Sequence, residues 1–258
     1  MTTPCSAPLA TQVRPLTYRL VNSALIFCGQ TSRRSQQMLP NQDQSTPKRV
    51  WYACYGSNLQ RERLMCFIEG GTPEGSAKRN EGCRDKSEPT ESRPTSLNFE
   101  LYFAGRFRRW ENGGLAFIRE NPKGRPTLGR MYLITDEQFN DVVMQENESP
   151  VSGWRRIPAF DQLVGQREFR LSGNPWYGRL LNIGSEGGYP VLTFTTARAD
   201  LQANPSPPCE QYVKVIASGI KETYPKMSND DIVEYLLRAE GLRGKIDPPK
   251  IQSWVAEA

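Results

Sequence analysis

Six consecutive uncharged residues, Val50-Trp51-Tyr52-Ala53-Cys54-Tyr55, run into Gly56, and four of them are β-branched or aromatic. A short run of this kind, ended by a turn residue, reads as a buried strand. From Asn58 the period changes: Leu59, Arg63, Cys66 and Phe67 share one side at helical spacing, Asn58 is placed to cap, and Gly70-Gly71 ends the pattern. The unit is strand, tight turn, helix, and the rest of the fold must cover that strand.

Downstream, Phe99, Leu101 and Phe103 alternate with Glu100 and Tyr102, Gly113-Gly114 precedes Leu-Ala-Phe-Ile, and Leu128 to Ile134 gives another extended run. Three strands at short spacing predict a curved antiparallel sheet. Thr135 followed by Gln138 is a capping-box signature that opens a helix through Gln145 and Glu146, closed by Pro150. Further strands are expected at Trp176 to Ile183 and Val191 to Thr196, and C-terminal helices over 208–258, at Glu210 to Tyr224 and at Ser228 to Glu240. Gly184 to Gly188 reads as a loop and not a dinucleotide fingerprint, because a strand and not a helix follows it. Residues 72–96 are polar and Pro-rich and read as a long loop. Without strict β-α-β alternation, the expected class is α+β, a mixed or antiparallel barrel-like sheet with flanking helices.

Residues 1–48 hold Arg14, Arg19, Arg33, Arg34 and Lys48 against a single acid, Asp43, and are rich in Ser, Thr, Gln and Pro, a bias that builds no core. They read as a disordered tail or a misassigned start, as an organellar transit peptide, or as a weak secretory signal using Leu20 to Cys28. The folded domain is expected over 49–258. Cytoplasmic residence is the default, organellar if the extension is a transit peptide. No apolar run approaches the roughly 20 residues of a membrane helix.

Histidine is absent from all 258 residues. That removes imidazole as general base, metal ligand and triad member. Six cysteines are scattered without a C-x-x-C pair, which points to free thiols in a reducing compartment and to no zinc site. The net charge of +5 is mild, with acids and bases interspersed, so nucleic acid is not the default partner.

Two places can carry chemistry. On the helix after Thr135, Phe139, Val142 and Val143 form an i, i+3, i+4 stripe whose i+7 position is Glu146. A carboxylate buried there must be paired or protonated, which suits it to moving protons. Alternatively Glu146 turns to solvent or pairs with Arg155 or Arg156, while Glu137, Asp141 and Glu148 fall off the stripe and read as solvated. The second place is Gly56-Ser57-Asn58, where free backbone N–H groups between strand and helix can hold a carboxylate or an oxyanion. An ordinary capped turn is the competing reading.

The segment Trp51-Tyr52-Ala53-Cys54-Tyr55-Gly56-Ser57-Asn58-Leu59 resembles the gamma-glutamylcyclotransferase superfamily, whose signature is an apolar or aromatic strand followed by YGSNL. Gln145-Glu146 is similar to the family's downstream Gln-Glu, and Pro205 to Pro208 followed by Tyr212 is similar to a proline segment ending in a pocket tyrosine. The resemblance spans roughly 50–224. It implies attack of the α-amine of a gamma-glutamyl compound on its own γ-carbonyl, giving 5-oxoproline and an amine without metal or organic cofactor. It further implies Glu146 as proton carrier and Tyr55, Gly56, Ser57, Asn58, Leu59 and Tyr212 as the binding site for a small gamma-glutamyl substrate. The 72–96 insertion, the N-terminal extension, and Trp154 where a pocket tyrosine is expected depart from the pattern. The rival readings are an amide hydrolase or deacylase on the same fold, and a non-catalytic module using Arg106-Phe107-Arg108-Arg109-Trp110 to contact phosphates and bases. Oligomeric state and the identity of the leaving amine stay open.

Overall fold

The computed structural model describes residues 48–73, 79–121, 123–151 and 160–258. Along the chain, β1 (Arg49–Cys54) leads to α1 (Arg61–Ile68), then β2 (Glu91–Leu97), β3 (Glu100–Phe107), β4 (Gly113–Arg119) and β5 (Thr127–Thr135). Helices α2 (Asp136–Glu146) and α3 (Phe160–Gly165) precede β6 (Glu168–Arg170), β7 (Arg179–Glu186) and β8 (Tyr189–Thr195). Four helices follow: α4 (Ala199–Ala203), α5 (Glu210–Thr223), α6 (Asn229–Leu237) and α7 (Pro248–Ala256). None of the described helices is long and apolar enough to cross a membrane.

The class is α+β, built on a six-stranded mixed sheet in the order β2-β5-β1-β8-β7-β6. β1 lies inside it, antiparallel to β5 with Trp51 opposite Leu133, and parallel to β8 with Trp51 opposite Val191. Every residue from Val50 to Tyr55 is buried, as a strand covered on both faces requires. The capping box of α2 is formed, Gln138 N–H donating to Thr135 Oγ1 at 3.2 Å and Thr135 N–H to Gln138 Oε1 at 3.0 Å. Phe139, Val142 and Val143 are buried on its inner face.

The sheet is open and not a barrel. β3 and β4 form a separate two-stranded sheet, because irregular segments meet their remaining backbone groups. Ser206 N–H donates to Phe103 O, and Phe103 N–H to Glu240 O. Between β4 and β8 a side chain replaces the ladder: Ile118 N–H donates to Thr195 Oγ1 at 3.0 Å, and that hydroxyl donates to Ile118 O at 2.8 Å. β5 therefore does not continue the β3–β4 hairpin but lies between β2 and β1.

The reading of 72–96 as a loop is corrected at its C-terminal end. Glu91–Leu97 is an edge strand antiparallel to β5, with Pro94 opposite Arg130. Its outer position explains why it lacks apolar alternation and tolerates proline. Residues 82–87 form a strap that ties α1 to α2. Cys83 N–H donates to Ile68 O, Gly82 N–H to Gln145 Oε1, and Gln138 Nε2 to Ser87 O. Asp141, expected in solvent, is buried there and accepts from Arg84 Nη2 at 2.8 Å and Arg84 N–H at 2.9 Å. The strap supplies the counter-charge that the helix alone does not reveal. The N-terminal targeting readings fall on residues outside the described ones.

Candidate functional site

The turn after β1 is held from several directions. Tyr55 hydroxyl donates to Phe194 O of β8 at 2.7 Å, and Ser57–Leu59 makes a 3₁₀ turn closed by Leu59 N–H to Gly56 O at 3.0 Å. Leu59 is fully buried, and its carbonyl accepts from Arg130 Nη1 at 3.2 Å and Tyr132 hydroxyl at 3.4 Å. Asn58 is not a helix cap. α1 starts at Arg61, whose N–H goes to Glu222 Oε2 at 3.0 Å, so that helix terminus already has its anion. The N–H groups of Gly56, Ser57 and Asn58, in contrast, have no acceptor among the described residues. Irregular backbone turning away from its own strand leaves such donors free for a ligand.

With no cap to form, the Asn58 side chain turns inward. Its Nδ2 donates to Glu146 Oε1 at 2.9 Å and to Tyr52 hydroxyl at 3.0 Å. Glu146 ends α2 with 7% of its surface exposed, and its other oxygen accepts from Arg109 Nη2 at 3.2 Å. The helical stripe thus delivers the carboxylate to the turn rather than to solvent. Arg155 and Arg156, its alternative partners, lie outside the described residues, as does Trp154.

A cavity of about 20 Å³ opens between these groups, lined among others by Gly56, Ser57, Asn58, Glu146, Tyr177 and Tyr212. That is room for roughly one water. Tyr55 also lines it; Leu59 does not, and serves as the buried anchor of the turn. Tyr212 hydroxyl accepts from Ala116 N–H at 3.3 Å and would lie 3.1 Å from a Cβ added at Gly56, so glycine lets the turn approach the tyrosine. Burial pushes the Tyr212 hydroxyl up to about 12, and raises Tyr52, Tyr55 and Tyr177 strongly. All four remain neutral phenols near neutral pH.

Three residues of this region were not singled out from the sequence as site residues. Tyr177 lines the cavity and donates to Ala116 O at 3.2 Å. Arg109 belongs to the Arg106–Trp110 cluster, on which the rival reading of a non-catalytic module rests. Phe107 and Trp110 of that cluster are buried, Arg106 and Arg108 are exposed, and Arg109 turns in to Glu146. Arg63, on the inner side of α1, is only 4% exposed; its guanidinium sits 5.1 Å from the Trp110 ring and 5.7 Å from Phe67. An arginine in an apolar helical stripe was the signal available in the sequence. Among the described residues no group of three or more cysteine or acidic side chains is placed to hold a metal.

No family model matches the chain. It is 34% identical over 207 residues to Histone deacetylase 5 of Arabidopsis thaliana, a match that takes in 74% of this chain but only 30% of that protein's length. Solved structures similar to it include a gamma-glutamyl cyclotransferase, at 17% identity over 82% of this chain and 100% of the other, with a TM-score of 0.42. An uncharacterised protein from Homo sapiens is similar at 16% identity over 81% of this chain and 99% of its own, with a TM-score of 0.44.

Proposed function

We propose that the chain is a gamma-glutamylcyclotransferase-like enzyme, cyclising a gamma-glutamyl amide to 5-oxoproline with release of an amine, and that Glu146 is its general acid and base. The observation that carries the reading is the 2.9 Å contact between Asn58 and Glu146, which puts a buried carboxylate on the same cavity as three unpaired N–H groups. Glu146 would take one proton from the substrate's α-ammonium group. The bared nitrogen closes on the γ-carbonyl carbon, and the N–H groups of Gly56 to Asn58 meet the negative charge that forms on the carbonyl oxygen. Breaking the old C–N bond expels the amine, which receives the proton held by Glu146 and the second one shed by the ring nitrogen. The lactam keeps one N–H, and the amine leaves as an ammonium ion. Each Glu146 oxygen has a second lone pair, so a substrate ammonium can join Asn58 and Arg109 there.

Intramolecular attack suits a site this sparse, since holding the chain folded on itself supplies most of the advantage. The likeness to a protein named for histone deacetylation favours a second reading, in which the same carboxylate activates water for amide hydrolysis. A histidine-ligated zinc mechanism does not transfer to a sequence without histidine. Incubating the full chain with a panel of gamma-glutamyl amides and with acetyl-lysine peptides separates the two by mass: 5-oxoproline supports cyclisation, free glutamate or acetate supports hydrolysis. Residues 49–258 are the proposed catalytic unit and residues 1–48 a tail or targeting segment.

A further inference from the structure

Among the described residues the charges around Glu146 do not balance. Two guanidinium groups, Arg63 and Arg109, are held in the interior near one carboxylate, and Arg63 has no carboxylate partner among the described residues. Arg63 Nε and Nη1 and Arg109 Nε are buried with no hydrogen-bond partner among the described residues. So is one acceptor, Asn58 Oδ1, on the cavity wall. Burying an unpaired cation costs stability, and native interiors leave few polar atoms orphaned, so such a cluster calls for a ligand. Burial pushes the Arg63 guanidinium down from its ordinary value, and the nearby Arg109 adds to this, while Glu146 opposes it. The Trp110 ring, 4.6 Å from Tyr212 at a 55° tilt and 5.1 Å from Arg63, lies between the guanidinium and the cavity wall.

We infer that Arg63 and Arg109 form a carboxylate-binding subsite beside Glu146, so that the site selects a ligand carrying an α-amino-acid end. The ligand's ammonium group meets Glu146 and Asn58 Oδ1, and its carboxylate meets the orphaned guanidinium N–H groups. A guanidinium meets a carboxylate through charge-assisted bonds from its N–H groups. This pairing deepens the reading of the chain as a gamma-glutamylcyclotransferase-like enzyme and rests on it for the substrate. The carboxylate is either the α-carboxylate of the glutamyl part or one on the departing amine. Arg63 also lines a second cavity of about 260 Å³ with Gln60, Gln211 and Lys214, which gives a departing amino acid a polar surface to follow.

The test is calorimetric titration of the full chain with 5-oxoproline and with 5-oxoprolinamide, and with L-alanine and ethylamine, on the wild type, Arg63→Met and Arg109→Gln. The subsite predicts at least tenfold tighter binding of the acid in one of these pairs, and loss of that preference in both variants. Preference within the first pair assigns the glutamyl α-carboxylate; preference within the second assigns the departing amine. A purely structural arginine predicts a lower melting temperature in Arg63→Met. The subsite predicts an unchanged or higher one, because a buried cation with no carboxylate partner among the described residues is removed. Equal binding of acid and neutral ligand, absence of binding by every acid, or retained preference in the variants overturns the proposal. Preference without 5-oxoproline formation by the wild type would sink the enzymatic reading while leaving the subsite standing, and turnover without preference would do the reverse.

Discussion

Gly219 is where α5 presses on the turn that carries the site, and Gly219→Ala tests whether that contact seats the turn. A Cβ at this position would lie 2.4 Å from Gln60 N, 2.5 Å from Leu59 Cβ and 2.6 Å from Leu59 C. Two of these three are backbone atoms, so no rotamer relieves the clash. Alanine in a helix interior gains about 1 kcal/mol over glycine. Overpacking against backbone costs roughly 1–3 kcal/mol. The clash should outweigh the helix gain by up to about 2 kcal/mol, equivalent to up to roughly 8 °C in melting temperature for a domain of this size. The larger effect should be on turnover, because displacing the turn by about 1 Å breaks the alignment of Asn58 with Glu146 and can cost ~100-fold in rate. Gly165→Ala is the control, since a Cβ at Gly165 meets nothing within 4 Å. It should shift stability by less than about 0.5 kcal/mol. Thermal melts and 5-oxoproline formation are the assays. A Gly219→Ala protein more stable than the wild type, with unaltered turnover, would refute the argument.

Other outcomes follow from named contacts. Arg84→Ala leaves Asp141, 1% exposed, without its guanidinium, and should lower stability in urea by roughly 3 kcal/mol; a loss under about 0.5 kcal/mol would show that the strap is not structural. Asn58→Ala removes a hydrogen bond to a charged group, worth about 1.5–3 kcal/mol, so kcat/KM should fall roughly 10- to 100-fold, which steady-state kinetics would show. At Asp85, burial raises the carboxyl, but the Ser87 N–H and hydroxyl and the Thr135 hydroxyl outweigh it and hold it below its ordinary value. A depressed folded value contributes stability above the unfolded value of about 4 that is lost as pH falls through the folded one. Urea midpoints of Asp85→Asn should accordingly fall less steeply than those of the wild type below about pH 4.

What was legible in the chain came from local pattern. The aromatic run from Val50, the Thr135–Gln138 box and the stripe ending at Glu146 each declare themselves within a dozen residues, and each is present. So is a helix after Ser228, whose hydroxyl accepts from Asp231 N–H at 3.1 Å. What was hidden depends on partners far along the chain. β2 reads as loop because only its backbone, paired with β5, makes it a strand. Asp141 reads as solvated because its partner Arg84 is 57 residues away. Asn58 reads as a cap because its side chain's two acceptors, Tyr52 hydroxyl and Glu146, come together only after the sheet forms. Arg109 sits in a cluster whose other arginines face water, and spacing alone does not say which of the three turns inward.

The most direct measurement is 5-oxoproline release by full-length Glu146→Gln on whichever gamma-glutamyl amide the wild type consumes fastest. Glutamine keeps the shape and can still accept from Asn58, but it carries no proton between the two nitrogens. Turnover should drop by at least ~100-fold. A variant that forms 5-oxoproline at the wild-type rate would mean that the proton travels by another route and that the carboxylate beside the turn has no part in the reaction.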